Sequence, residues 1–422
     1  MSVRANATLT LTPFTPSFAD SELQGLKVKL KQCRDELPEA TYASKQRKYG
    51  IEHSSMEELL AYWEEDFDWR KRETHINSVD HYTTNVEDEG DTFKIHLVAH
   101  FSSDPDAIPL LLNHGWPGSL LEYIDTIKIL QNSTTPSFHL ICPNQVGYGW
   151  SSGPPLDRGF GMYEMARILD KLMVGLGFGS GYAVQGGDIG SVIARIMSVK
   201  YEGCKAINLN YLPLLPPSSI VSNYIPTASQ WLPSALSNAI TTVTSPLLGT
   251  PATHGLTQLE IFNAQKAYRF ASDGRAYGVL QGTRPGTAGI IMQSSPTALL
   301  AWLAEKFRDW VDEELSKDEI LETVTVWWLL GTYPKAIYAY SELTTGVGGW
   351  HRDPALYLNK PFGFSSFAKE IASAPKVWAA QTGNLVYYNY IEKGGHFAAL
   401  EQPALFAKEM QDCFGAIFPR TQ

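Results

Sequence analysis

The sequence predicts an α/β protein with a mainly parallel central sheet, helices on both faces and a mostly helical insertion. Three observations predict it. From Thr92 onward, short apolar runs alternate with helical segments, which is the rhythm of βαβ units. The rhythm stops after Tyr211, and helical texture then fills Gln258 to about Leu343. Strand signals return near the C-terminus, so the insertion interrupts one core instead of following it.

Residues 1–91 form an N-terminal wrapping segment, charged and aromatic, with helical stretches near Ser21 to Leu37 and from Met56 to Lys71. Leu59, Leu60, Trp63 and Phe67 fall at helical spacing on an otherwise acidic face of the second stretch. Residues 92–211 are the first part of the core. Phe93 to Phe101 alternates apolar and polar residues; Ile108 to Leu112, Phe138 to Cys142 and Tyr182 to Gln185 read as buried strands; Leu120 to Leu130 and Met162 to Leu176 read as helices. Residues 212–345 form a helical lid whose opening stretch, Leu212 to Pro251, is crowded with Pro, Ser and Thr and reads as surface chain. Residues 346–422 complete the core, with strands at Lys376 to Ala380 and Leu385 to Tyr390 and a helix over Pro403 to Phe418.

Composition narrows the function. Of 422 residues, 44% are hydrophobic and 18% charged, enough apolar material for a large core, which excludes a disordered or coiled-coil chain. Lys plus Arg total 34 against 44 Asp plus Glu, a net charge of −10 that phosphate backbones would repel, so nucleic acid is excluded as a partner. Cys33, Cys142, Cys204 and Cys413 lie far apart with no CxxC pair, so neither a disulfide framework nor a metal site is expected. The opening MSVRANATLTLTPFTPSF lacks the continuous apolar run of a secretory signal, and no run approaches a membrane span. A soluble, cytoplasmic protein without a membrane anchor is expected.

Three motifs carry chemistry. In YAVQGGDIGSVIARIMSVKY, Tyr182 to Tyr201, a short strand runs into Gly186-Gly187-Asp188-Ile189-Gly190 and then a helix. Small residues on both sides of a central acid are what a sharp strand-to-helix elbow needs, which makes Asp188 a candidate nucleophile; the plain alternative is a helix cap. Gly149-Trp150-Ser151-Ser152-Gly153 spells a rival serine elbow, but no strand feeds it and Pro154-Pro155 follow where a helix should start, so it reads as a loop. The second motif, His114-Gly115-Trp116-Pro117-Gly118-Ser119, follows a strand and can aim backbone N–H groups at an oxyanion; with the elbow, those donors belong to Trp116 and Ile189. The third is Gly394-Gly395-His396-Phe397, one of ten histidines, following the nucleophile in chain order.

Together these motifs, with Trp69-Arg70, AYGVLQGTRPGTAG from Ala276, SPTALLAWLAEKF and GGHFAALEQP from Gly394, resemble the epoxide hydrolases of the α/β-hydrolase superfamily, specifically the microsomal-type branch and its soluble fungal members. The resemblance covers most of the chain. It implies an α/β-hydrolase fold, no cofactor, and a small-molecule epoxide and water as partners, and it allows a homodimer. It places the acid that orients His396 at Glu370, 26 residues upstream, with Asp353 and Glu392 as competitors. It places two phenols that bind the epoxide oxygen at Tyr277 and Tyr340, with Tyr338 a close rival among 20 tyrosines.

The residue types suit the reaction. A carboxylate nucleophile leaves an ester that can be hydrolysed, where serine would leave an ether. Aspartate, with an ordinary pKa of about 3.9, is ionised at neutral pH and needs no base, which frees His396 for the hydrolytic step. Substrate contacts are then expected from Tyr277, Tyr340 and Trp116. Two other readings share the motifs: a haloalkane dehalogenase, for which a tryptophan instead of Ile189 would be expected after the nucleophile, and a ligand-binding protein that has kept the fold without turnover.

Overall fold

The computed structural model describes residues 6–35, 37–38, 49–214, 256–345 and 349–419. Most of the Pro/Ser-rich stretch after Leu212 therefore lies outside the described residues. Among the described residues one nine-stranded sheet organises the chain: β1 (Thr12–Phe14), β2 (His81–Asp88), β3 (Asp91–His100), β4 (Ile108–Asn113), β5 (Phe138–Pro143), β6 (Tyr182–Gly186), β7 (Cys204–Leu209), β8 (Leu358–Phe367) and β9 (Gly383–Ile391). Their order across the sheet is β1-β2-β3-β5-β4-β6-β7-β8-β9. Strands β1 to β3 pair antiparallel with each other and with β5, and the run from β5 through β9 is parallel.

This order positions the site. Strand β4 sits between β5 and β6, so the connections leaving its two sides diverge, and the crevice at the carboxyl ends of β4 and β6 is the switch point where α/β sheets bind ligands. The His114-to-Ser119 loop leaves β4 there, and the Asp188 elbow leaves β6. Both strands are fully buried, as their continuous apolar runs require in a parallel sheet covered on both faces. The helix Asp188–Lys200 buries Ile189, Val192, Ile193 and Ile196 together. Each such side chain contributes roughly 1.5–3 kcal/mol relative to exposure, which anchors the elbow against the sheet.

Several expectations are corrected. The strands β1 and β2, for which residues 1–91 gave no signal, lie within that segment, and β2 forms a hairpin with β3. The helical stretch expected as one element from Met56 to Lys71 is two, His53–Glu65 and Trp69–Ile76, with Asp68 capping the second through Lys71 N–H. The strand expected at Lys376 to Ala380 is a short helix, Lys376–Ala379, started by Pro375; a four-residue apolar run has no periodicity to separate the two. Its place in the sheet belongs to β8, hidden in the sequence by Lys360-Pro361. Register shifts between Leu358 and Phe362, across that proline, and between Phe362 and Gly363, just after it, show how the strand tolerates a residue without an N–H.

Helices over Gln258–Arg269, Ala276–Thr283, Pro285–Gln293, Pro296–Asp309 and Lys317–Leu330, followed by a 3₁₀ segment Ile337–Thr345, stand over the carboxyl edge. Trp327 Nε1 donates to Pro117 O at 2.8 Å, tying this layer to the loop after β4. No helix among the described residues is long and apolar enough to cross a membrane.

Candidate active site

Asp188 occupies the left-handed region at φ 45°, a conformation that costs a non-glycine residue about 1–3 kcal/mol and persists only when the surroundings impose it. The surroundings here are glycines. A Cβ on Gly190 would run into the backbone carbonyls of Asn113 and His114, and one on Gly115 would run into Asp188 itself, so the loop and the elbow meet only because both lack side chains. Ser191 Oγ adds a bond to the carbonyl of Asp188, 2.6 Å away. The result is a carboxylate held at the sheet edge.

Its two oxygens face different partners. The Trp116 N–H donates to Asp188 Oδ1 at 2.9 Å. Ile189 follows directly, and its N–H belongs to the first helical turn, which has no partner inside the helix. On the other side His396 Nε2 lies 3.4 Å from Asp188 Oδ2. His396 Nδ1 is 2.8 Å from Glu370 Oε1, and both side chains are buried. The His396 loop is itself pinned: its N–H donates to Trp310 O at 2.8 Å, and Gly394 N–H donates to Asp312 Oδ2 at 3.0 Å. Burial alone would depress the His396 imidazole, but Glu370 and Asp188 outweigh it and hold the ring well above its usual value.

Tyr277 and Tyr340 share with Asp188 a cavity of 190 Å³, walled also by Ile189, Val192, Phe270 and Leu343. Tyr277 stacks on Trp116, with ring centroids 5.0 Å apart, and Tyr340 meets the same indole edge-on at 5.8 Å. Burial first, then the Asp188 charge, pushes the Tyr277 phenol far above its ordinary range; burial and then Tyr277 do the same to Tyr340. Both are therefore protonated donors at neutral pH. Tyr338, the rival of Tyr340, is 39% exposed and does not line the cavity.

The other candidates lie elsewhere. Asp353 caps a short 3₁₀ turn through Ala355 N–H, and Glu392 is exposed. Ser151 Oγ donates to Asn144 O at 2.8 Å and accepts from His96 N–H at 3.0 Å, so it knits the loop after β5 to β3. Among the described residues no group of three His, Cys, Asp or Glu side chains is placed to hold a metal ion.

Sequence reasoning missed three neighbours of the site. Trp310 packs edge-on against His396 at 5.0 Å and tilted against Tyr277 at 5.2 Å. Tyr211 meets the His396 ring at 5.4 Å. Glu122 stands beside Asp188 and His396 in a second, smaller cavity. Trp310 ends the stretch that begins SPTALLAWLAEKF, a signal that was available; a lone Glu on a turn after Ser119 offered none.

The chain is similar to known proteins over most of its length. Residues 11–123 match the family model described as epoxide hydrolase N terminus, and residues 108–288 match that of the alpha/beta hydrolase fold. A protein of Dothistroma septosporum described as a putative epoxide hydrolase is 33% identical over 98% of this chain and 92% of its own length. Epoxide hydrolase 1 of Sus scrofa is 29% identical, covering 96% of this chain and 89% of its own. The structure of Aspergillus niger epoxide hydrolase superposes with a TM-score of 0.84 at 36% identity, covering 99% of both chains.

Proposed function

The chain belongs to the epoxide hydrolases of the α/β-hydrolase fold, and from that premise we propose a two-step hydrolysis through an ester on Asp188. Asp188 Oδ2 attacks one epoxide carbon. The carbon–oxygen bond of the ring breaks while Tyr277 and Tyr340 hydrogen-bond the oxygen and supply its proton. The product of this step is a hydroxyalkyl ester. His396, oriented by Glu370, then takes a proton from water as the water attacks Asp188 Cγ. The Trp116 and Ile189 amides hold the oxyanion on Oδ1. Collapse breaks the Cγ–Oδ2 bond, the vicinal diol leaves with a proton returned from His396, and the second proton of the water, released as the Asp188 carboxylate reforms, restores the phenol that protonated the epoxide oxygen.

The observation that carries this reading is the division of labour around one carboxylate. Oδ1 is held by the Trp116 amide at 2.9 Å, Oδ2 is 3.4 Å from the His396 imidazole, and the cavity above is roofed by two protonated phenols. Ile189 after the nucleophile supplies no indole N–H for a halide, which favours an epoxide over a haloalkane. The test is one turnover in ¹⁸O-labelled water with styrene oxide. The expected result is label in the Asp188 carboxylate and none in the first diol; label in that diol would exclude the ester.

A further inference from the structure

Asp188 separates two cavities. Above it is the 190 Å³ space that Tyr277 and Tyr340 line; behind it is a chamber with 20 Å³ of room for the centre of a water molecule, enough for about one. Neither lid tyrosine lines the chamber. Its polar side chains include Asp188, His396, Glu122 and Asn210, beside Tyr123, whose hydroxyl donates to Gln185 Oε1, and a trapped water needs two to four such partners. Glu122 is directed there by the chain: Ser119 caps the turn Leu120–Tyr123 through Leu121 N–H, and the Glu122 side chain folds back over Gly118, where any Cβ would occupy the place of its carboxyl.

We infer that this chamber holds the hydrolytic water and that Glu122 orients it, accepting one of its hydrogens while His396 Nε2 takes the other. The inference rests on the two-step reading above. It gives that reading a geometry: the epoxide enters from the lid side, the water waits on the opposite side of the carboxylate, and neither has to displace the other. The water oxygen bonds to Asp188 Cγ, one of its protons goes to His396, and the second stays on that oxygen, donated in a hydrogen bond to Glu122, until it is released as the Asp188 carboxylate reforms. Burial pushes the Glu122 carboxyl up to about 8, with the Asp188 charge adding and His396 opposing. A neutral Glu122 in the resting enzyme still accepts through its carbonyl oxygen, and it does not compete with Asp188 for the charge of His396.

The test is rapid-quench single turnover with styrene oxide, following ester formation and ester breakdown separately by intact-protein mass. Glu122→Gln is expected to form the ester within about twofold of the wild-type rate and to hydrolyse it roughly 10–100-fold more slowly, the scale of a misplaced reactant. Ala399→Val, which adds bulk to the chamber without removing the carboxyl, is expected to give the same split. Ester breakdown at the wild-type rate in both variants would overturn the inference. So would slower ester formation without accumulation, which would place Glu122 in the first step. His396→Gln is the control: if it accumulates no ester, the two-step reading itself fails, and the chamber's role falls with it.

Discussion

Two buried imidazoles flank the Asp188 elbow and titrate in opposite directions. His396 reaches the carboxylate of Asp188 and is backed by Glu370 at 2.8 Å. His351 reaches the same residue through its backbone: Arg195 Nε donates to His351 Nδ1 at 3.0 Å, His351 Nε2 lies 3.2 Å from Ser191 Oγ, and Ser191 donates to Asp188 O. Burial lowers both rings, but two carboxylates lift His396 well above its usual value, while the Arg195 cation depresses His351 further. The charge of the partner, and not burial, decides the direction in which each ring is shifted. In the proposed hydrolysis His396 is the ring that moves protons, while His351 is a neutral spacer beneath the strained backbone of Asp188.

The largest expected effect separates the two. His396→Gln should lower kcat by about 10⁴-fold and trap the ester, because in the proposed second step that ring takes the water proton. His351→Leu should spare ester formation to within about tenfold. It should cost about 1–3 kcal/mol in urea-unfolding stability, since Arg195 and Ser191, both fully buried, each lose a partner. A trapped ester in His351→Leu would erase the distinction.

Next in size is the pH dependence. His396 is a base only when neutral, and Glu370 raises its pKa, so Glu370→Gln should move the acid limb of ester hydrolysis to lower pH while reducing its plateau by 10²–10⁴-fold, on the scale of general-base catalysis. A loss of plateau with no displacement of the limb would mean that Glu370 only holds the ring in place.

A smaller effect is expected on stability. His351, His96 and His114 all have folded pKa values below the unfolded value of about 6.5, His114 at about 4. Below pH 6.5 the unfolded chain takes up protons that the folded one refuses, so the stability these groups contribute is lost as pH falls from 6.5 toward 4. His396 has the opposite sign: its contribution is present below 6.5 and is lost as pH rises through its raised value. His351→Leu should therefore flatten the fall of unfolding free energy between pH 6.5 and 4.5 by up to one proton, about 1.4 kcal/mol per pH unit. An unchanged slope would show that His351 is protonated in the fold.

The contrast between the two imidazoles also explains what was legible. The elbow and the loop after β4 could be read because their chemistry is written in contiguous glycines, and Gly115 and Gly190 are demanded by contacts that any side chain would break. Tyr277 and Glu370 came from resemblance, since a lone Tyr or Glu looks like any other. Tyr340 could not be separated from Tyr338, two residues apart in a 3₁₀ segment whose orientation is set by packing on Trp116. The Arg195–His351 contact joins residues 156 positions apart, and Glu122 meets His396 only where the carboxyl ends of β4 and β6 converge. Such pairings are products of topology, and no local pattern announces them.

The smallest effect concerns the lid. Lys306 is buried, with Nζ 5.3 Å from the Tyr277 ring centroid and 4.9 Å from that of Trp302, and it is paired with Glu305 at 2.8 Å. In the proposed ring opening, a cation on the face of the phenol favours the negative charge that develops on Tyr277 as it gives its hydrogen bond to the epoxide oxygen. Lys306→Met keeps most of the stem volume and removes the charge. Trp302, held by Gln281 Oε1 at 3.1 Å, and Tyr333, held by the same oxygen at 2.9 Å, should keep the helix in place. Ester formation is then expected to slow about 2–10-fold, the range of a cation–π contact of roughly 0.5–1 kcal/mol or somewhat more when desolvated, while ester hydrolysis is unchanged. Equal slowing of both steps would reduce Lys306 to a packing residue, because the phenol takes part only in ring opening.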